Sequence, residues 1–121
     1  MTPTELILEF NQAWASLDAG KIAAYFTEDG IYHNMPSDPV QGRDNIEKFI
    51  AAFAANWTRT EFEILNITAH GSLVFAERID RTMVGDKAVN LPCVGVYETE
   101  DNKIRVWRDY FDLGTYIKAV S

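Results

Sequence analysis

Three segments of the sequence place polar side chains two residues apart beside apolar neighbours. Arg78 and Asp80 form one such pair, Tyr32 and Asn34 form another, and Asp109 lies in a Trp-Arg-Asp-Tyr-Phe run. In an extended strand, residues two apart point to the same face. If the three faces converge, they bring two carboxyl groups, a guanidinium, a phenol and an amide together. Such a set suits general acid–base chemistry, because one carboxyl group can accept a proton while the other donates one.

Each motif also has an ordinary structural explanation. An Arg-x-Asp pair on a strand is most often a solvated ion pair, and Tyr-x-Asn before a proline-containing loop is commonly the end of a strand. The functional interpretation is stronger for Asp109, because alternation puts it on the same face as Trp107 and Phe111. A carboxylate among aromatic side chains needs a partner, and Arg78 is the candidate for it.

Helical spacing of apolar residues predicts three helices in the first half of the chain. The first begins at a Thr2 capping box, and its buried stripe is expected to contain Leu6, Ile7, Phe10, Trp14 and Leu17. A second, shorter helix is predicted over 18–26, followed by a turn at Gly30. A third is predicted over about 44–55.

After residue 56 the hydrophobic period becomes two, which predicts strands over 57–70, 73–84, 88–100 and 104–112. A short strand is expected over 31–34. The turns between the later strands are short, so these strands should form an antiparallel meander. The predicted fold class is α+β: one domain over 1–121, with a curved, mixed but mostly antiparallel sheet and N-terminal helices packed on its concave face.

Composition narrows the classes of partner. Acidic residues outnumber basic ones by 18 to 11, giving a net charge of −7, which disfavours binding to nucleic acid or to an anionic membrane. The one cysteine, Cys93, cannot form an intrachain disulfide, and the N-terminus is polar, so a cytoplasmic location is expected. We predict neither a metal site nor a cofactor, because ligand-spaced His/Cys clusters and phosphate-binding glycine loops are absent from the sequence.

Three motifs resemble the limonene-1,2-epoxide hydrolases, a family within the NTF2-like or SnoaL-like cone-shaped folds that also include ketosteroid isomerases and polyketide cyclases. The motifs are YHNMP at 32–36, ERID at 77–80 and WRDYFD at 107–112. Their order and spacing match over nearly the whole chain. The resemblance implies an epoxide hydrolase that adds water to an epoxide to give a vicinal diol, without a cofactor.

The resemblance also implies roles for individual residues. Asp109 corresponds to the water-activating aspartate, Arg78 to the central arginine and Asp80 to the acid, while Tyr32 and Asn34 correspond to residues that hold the water. Candidate pocket walls, expected to suit a small hydrophobic alicyclic or aromatic epoxide, are Phe53, Trp57, Trp107 and Phe111. A homodimer is implied, and Arg108 and Tyr110, which face away from the pocket, are candidate interface residues.

Two other functions fit a cone-shaped fold: an isomerase or cyclase that uses Asp109 or Asp80 as a base on a carbon acid, and a non-catalytic ligand-binding module. An arginine between both carboxyl groups disfavours the isomerase, which needs a free base. Direct attack by Asp109 on carbon is also disfavoured, because it needs a second base to release the ester. His33 is predicted to face away from the site, and His70 lies at a turn.

Overall fold

The computed structural model describes residues 1–121 and contains four α-helices and six β-strands. The helices are α1 (Pro3–Ala13), α2 (Ala19–Ala23), α3 (Arg43–Phe53) and α4 (Leu113–Val120). A turn of 3₁₀ helix, Trp14–Ser16, follows α1. The strands are β1 (Phe26–Asn34), β2 (Val40–Gln41), β3 (Trp57–His70), β4 (Leu73–Val84), β5 (Lys87–Glu100) and β6 (Lys103–Phe111). None of the helices is both long enough and apolar enough to cross a lipid bilayer.

The six strands form one mixed sheet in the order β2-β1-β6-β5-β4-β3. β3 to β6 form the predicted antiparallel meander. Its tight turns contain Gly71, Gly85 and the pair Asp101 and Asn102, all of which have positive φ, as two-residue hairpin turns require. β1 lies parallel to β6, with Tyr32 beside Trp107. This parallel pairing brings the first motif next to the third.

α1 packs on the concave face of the sheet, which confirms the predicted fold class. The predicted capping box is present, with reciprocal hydrogen bonds between Thr2 and Glu5. Phe10 is fully buried, and its ring meets Trp107 edge to face at 5.1 Å. A fully buried side chain of this size contributes about 1.5–3 kcal/mol through loss of exposed apolar area. Leu17, by contrast, lies after the helix in a left-handed conformation and is only half-buried.

The region between the second helix and the first motif differs from the prediction. α2 ends at Ala23, and Phe26 is already the first residue of β1, where it is fully buried beside Ile104. Gly30 is not in a turn but within β1, where the register with β6 shifts. A Cβ at Gly30 would come within 3.1 Å of both the Phe26 Cβ and the Thr27 carbonyl oxygen. The glycine therefore allows a close backbone approach inside an irregular strand.

Two elements were not predicted. β2 contributes only two residues, which pair with Ile31 and Tyr32. α4 is capped by Asp112, whose carboxylate accepts hydrogen bonds from the backbone and hydroxyl of Thr115. The side of α4 that faces β5 packs on a small buried cluster of Val89, Leu91 and Cys93. α4 thus lies over one end of the sheet and adds side chains to the cavity described below.

Candidate active site

The sheet places the three motifs on neighbouring strands, all facing the helices. Alternation along β4 buries Arg78 and Asp80 on this inner face, together with Val74, Ala76 and Thr82, as predicted. In the β1–β6 pair, Asn34 lies beside Asp109. β5 separates β4 from β6, with Cys93 opposite Arg78 and Gly95 opposite Asp109. The long arginine side chain has to cross β5 to reach Asp109.

Arg78 bridges the two carboxyl groups through its planar guanidinium. Toward Asp80, Nε donates to Oδ1 at 2.7 Å and Nη2 donates to Oδ2 at 3.1 Å. Toward Asp109, Nη1 donates to Oδ1 at 2.7 Å and Nη2 donates to Oδ2 at 2.6 Å. All four carboxylate oxygens therefore accept from one cation. Paired bonds of this kind fix both separation and orientation.

The cluster is buried, and burial decides its electrostatics. Arg78 is 1% exposed, Asp109 3% and Asp80 8%. Burial raises the pKa of Asp109 to about 6, with the negative charge of Asp80 acting in the same direction and the charge and hydrogen bonds of Arg78 opposing both. Burial alone would lower the pKa of Arg78, but the charges of Asp109 and Asp80 outweigh it and hold the pKa well above its usual value. The arginine stays charged, while Asp109 changes charge near neutral pH.

Tyr32 and Asn34 border the carboxylate of Asp109 from β1. Both are buried, and the Tyr32 ring stacks on Trp107 with centroids 4.4 Å apart. Burial, and then the nearby charge of Asp109, raise the pKa of Tyr32 well above its usual value, so its hydroxyl remains protonated. None of the hydrogen bonds around Arg78 uses Tyr32 or Asn34. The Asn34 side chain instead interacts with the Tyr32 hydroxyl by a hydrogen bond that opposes the rise in its pKa.

A mostly aromatic cavity of about 30 Å³ opens directly onto this cluster. All four predicted wall residues line it, as do Tyr32, Asn34, Arg78, Asp80 and Asp109. Six further residues line the cavity and were not predicted from the sequence: Trp14, Phe62, Thr82, Val89, Leu91 and Tyr116. Across the cavity mouth, the Trp57 indole N–H donates to the Tyr116 hydroxyl at 2.9 Å.

Sequence patterns could have identified some of these lining residues. Phe62 pairs with Asp80 across β3 and β4, so strand alternation combined with the hairpin register places it on the inner face. Tyr116 follows a helix cap at Asp112 and precedes Val120 by four residues, which is a helical signature. That signature is short, and the preceding strand-like run obscures it.

Asp80, Cys93 and Asp109 offer ligand atoms that all lie within 4.8 Å of one another. The Cys93 thiol lies 3.5 Å from Asp80 Oδ2 and 3.2 Å from the Leu91 carbonyl oxygen. Burial, followed by the charge of Asp80, raises the pKa of this thiol, whereas metal binding needs the thiolate. The carboxylate oxygens are already bonded to Arg78. The chemistry of this donor set therefore suits an arginine better than a metal ion.

The remaining named residues lie outside the cavity. His33 Nε2 lies 2.9 Å from the Ser37 carbonyl oxygen, and His70 is exposed at the end of β3. Arg108 pairs with Glu98 on the sheet face opposite the helices, which we call the outer face. Tyr110 is exposed on the same face. Neither histidine reaches the carboxyl groups.

The fold and site define a class: a helix-covered, curved sheet that holds an arginine between two buried carboxyl groups beside an apolar cavity. The family model of the limonene-1,2-epoxide hydrolase catalytic domain matches residues 2–121. The chain therefore belongs to the limonene-1,2-epoxide hydrolase family, as the three motifs indicated.

Named relatives agree with this assignment. Epoxide hydrolase EphG of Mycobacterium tuberculosis is 28% identical over 111 residues, which make up 92% of this chain and 74% of EphG. The solved structure of an M. tuberculosis LEH-like epoxide hydrolase is 26% identical, with a TM-score of 0.84, and covers 97% of this chain and 87% of its own. A protein with a ketosteroid isomerase-like fold from Catenulispora acidiphila, solved with trimethylamine, shares the fold at 20% identity, with a TM-score of 0.87 over 98% of this chain and 93% of its own. Family and relatives together indicate an epoxide hydrolase in general terms.

Proposed function

We propose that this protein adds water to a small hydrophobic epoxide, alicyclic or aromatic, and forms a vicinal diol in one step without a covalent intermediate. Residues 1–121 act in this proposal as one catalytic unit. The observation that supports it most is the bridge from Arg78 to both Asp80 and Asp109 at the base of an aromatic cavity. Opening an epoxide needs a nucleophile at carbon and a proton at oxygen, and two carboxyl groups in different charge states can provide both.

Asp109 is the general base of the proposed reaction. A base works best when its pKa lies near the working pH, and burial raises the pKa of Asp109 to about 6. At neutral pH the carboxylate is therefore ionised yet basic enough to take a proton from water. Tyr32 and Asn34 hold that water by hydrogen bonds and direct its lone pair at an epoxide carbon.

Asp80 is the general acid, which donates its proton to the epoxide oxygen as the ring opens. The two carboxyl groups are bonded unequally by Arg78. Asp109 accepts at 2.7 and 2.6 Å, whereas the second bond to Asp80 is 3.1 Å long. Charge-assisted hydrogen bonds are the shorter ones, so this difference supports placing the negative charge on Asp109 and the proton on Asp80.

The cavity supports a compact, apolar substrate. Its free volume, about 30 Å³, leaves room only for a compact ligand. Phe53, Trp57, Trp107 and Phe111 provide aromatic walls, and polar groups converge at the base. An epoxide with one six-membered carbon ring, such as cyclohexene oxide or styrene oxide, matches these apolar walls and this polar base.

The isomerase or cyclase alternative has weaker support. The family model that matches this chain and its relative EphG are both epoxide hydrolases. The neighbours under 25% identical share the fold alone, and fold does not imply function.

Turnover in oxygen-18 water tests the proposal and its mechanism together. Incubation with cyclohexene oxide should give a diol with one labelled oxygen above the background of a protein-free reaction. A single turnover should leave the protein unlabelled, since no ester forms at Asp109. Absence of diol above the background contradicts the proposed function, and label in the Asp109 peptide contradicts the one-step mechanism.

We further propose that the protein is a cytoplasmic homodimer that associates through the outer face of the sheet. Leu65, Phe75, Val94 and Tyr110 are exposed apolar residues on this face, and an exposed apolar patch favours association. Light scattering should give twice the chain mass, and Tyr110→Glu should reduce it to the monomer. A monomeric wild-type protein contradicts the proposal.

A further inference from the structure

The guanidinium of Arg78 has one N–H group that neither carboxylate accepts. Four of its five N–H groups donate to Asp80 and Asp109. The fifth, on Nη1, donates to the hydroxyl of Tyr97 at 3.3 Å. With this bond all five donors of a buried cation are paired, and the guanidinium has one favoured orientation.

Tyr97 is itself held rigidly from two sides. Its fully buried ring stacks on Trp107, with centroids 5.5 Å apart and planes 13° apart. Its hydroxyl accepts a second hydrogen bond from Asn11 Nδ2 at 3.3 Å, and the same amide donates to the Ile7 carbonyl oxygen of α1 at 2.8 Å. A buried chain of hydrogen bonds thus runs from α1 through Asn11 and Tyr97 to Arg78.

The neighbouring strand residue leaves room for this chain. Gly95 lies on β5 between Asp109 and Ala76. A Cβ at this position would come within 2.6 Å of the Tyr97 hydroxyl oxygen and 2.8 Å of Arg78 Nη1. Any side chain here would push the phenol and the guanidinium apart. Four positions on two strands and a helix, Arg78, Gly95, Tyr97 and Asn11, therefore all contribute to one hydrogen bond, the bond from Arg78 to Tyr97.

We propose that Tyr97, supported by Asn11, is a positioning residue that sets the plane of the Arg78 guanidinium and through it the orientation of the Asp109 carboxylate. This inference rests on the proposed function. Tyr97 touches neither the proposed substrate nor the proposed water, and it acts through Arg78. Burial raises the pKa of Tyr97, so the hydroxyl stays neutral and adds no third negative charge to the cluster.

Tyr97→Phe is the direct test, and Tyr25→Phe is its matched control. The Tyr25 hydroxyl also bonds α1, donating to Glu9 at 2.8 Å, but its partner is exposed and lies outside the Arg78 cluster. We expect Tyr97→Phe to lower kcat about tenfold, the value of one hydrogen bond to a charged group, with KM changed less than about twofold. Tyr25→Phe should leave both constants unchanged.

The pH profile separates positioning from a merely structural role. Arg78 opposes the rise in the pKa of Asp109, so a loosened guanidinium should move the acid limb of kcat/KM to higher pH in Tyr97→Phe but not in Tyr25→Phe. The ionisable groups around Asp109 are Tyr32 from β1, Arg78 and Asp80 from β4, and Cys93 and Tyr97 from β5. α1 adds only the neutral Asn11.

A second measurement keeps the inference testable without turnover. Carbon-13 NMR of labelled aspartate follows the titration of the Asp109 carboxyl group directly. The midpoint of this titration should rise in Tyr97→Phe. It should also rise in Asn11→Ala, which keeps the Tyr97 hydroxyl but removes the hydrogen bond from Asn11 to it. If the wild type hydrolyses no epoxide, the proposed function fails while this titration still tests Tyr97. Lower thermal stability with wild-type kcat and a wild-type Asp109 midpoint would overturn the inference, as would equal effects of the two Phe variants.

Discussion

Each face of the sheet has an ion pair between arginine and a carboxylate, but the pKa of the carboxylate is shifted in opposite directions on the two faces. On the outer face, Glu98 pairs with Arg108 at 2.6 Å and also with Arg105. The hydrogen bond from Arg108 lowers the pKa of Glu98. On the inner face, Asp109 accepts two hydrogen bonds from Arg78, yet burial raises its pKa to about 6.

Burial accounts for this difference. The side chains of Glu98 and Arg108 are about 30% exposed, whereas those of Arg78 and Asp109 are nearly inaccessible. Where the pair is exposed to water, the attraction of the arginine is enough to lower the pKa of the carboxylate. Such a pair contributes about 0–1 kcal/mol to the free energy of unfolding. In an apolar site the desolvation of the carboxylate outweighs the attraction. The inner pair is thus poorly suited to stabilising the fold and well suited to moving a proton.

The largest expected effect comes from removing the inner carboxylate. Asp109→Asn eliminates the proposed base and should lower kcat by about a hundred- to ten-thousand-fold, the usual value of such a group. Glu98→Gln removes the corresponding carboxylate of the outer face and should leave kcat within about twofold, since exposed pairs contribute little. Steady-state hydrolysis of cyclohexene oxide measures both. An equal loss of kcat in the two variants would contradict the claim that only the inner carboxylate takes part in catalysis.

A smaller effect is expected from changing the shape of the inner cation while keeping its charge. Arg78→Lys retains a positive charge but cannot bond four carboxylate oxygens at once. We expect a loss of about a hundredfold in kcat, because both carboxyl groups lose their fixed separation. Arg81→Lys, on the outer face where Arg81 pairs with Glu63, is the matched control. Full activity in Arg78→Lys would mean that charge alone suffices.

The smallest effect is expected at the cavity mouth, where a neutral hydrogen bond joins Trp57 to Tyr116. Tyr116→Phe removes its acceptor and should raise kcat/KM for a bulkier epoxide relative to cyclohexene oxide by about threefold, since a neutral bond is worth roughly 0.5–1.5 kcal/mol. Ile117→Ala, at an exposed position of the same helix, should not change this ratio. A ratio that is unaffected by Tyr116→Phe would show that the mouth does not select substrate size.

The strands and their faces could be predicted well from the sequence. The glycine turns after β3 and β4 delimit those strands, and alternation along β4 places Arg78 and Asp80 on the inner face. The helix α4 could not be separated from the end of β6, because Asp112 both continues the strand-like run and caps the helix. Gly30 was misleading, since a glycine fits a strand irregularity as well as a turn.

The residues that line the site were predicted more fully than the residues behind them that hold Arg78 in position. Shared faces predicted which side chains could converge, and the cavity includes all of them. The contact of Tyr97 with Arg78 depends on the space above Gly95 and on the register between β4 and β5. Alternation does not encode such distances, so Tyr97 and Asn11 were not identified as candidates.

The pH dependence of kcat/KM tests most directly the claim that burial makes Asp109 a base suited to neutral pH. The base must be ionised, so activity should fall as pH decreases through the pKa of Asp109, about 6 in the folded protein. Measurement from pH 4 to 9 on wild-type protein, with folding checked at each pH, should give an acid limb near pH 6. Full activity down to pH 4.5 would contradict the account, because it would place the base near the ordinary carboxyl value of 3.8.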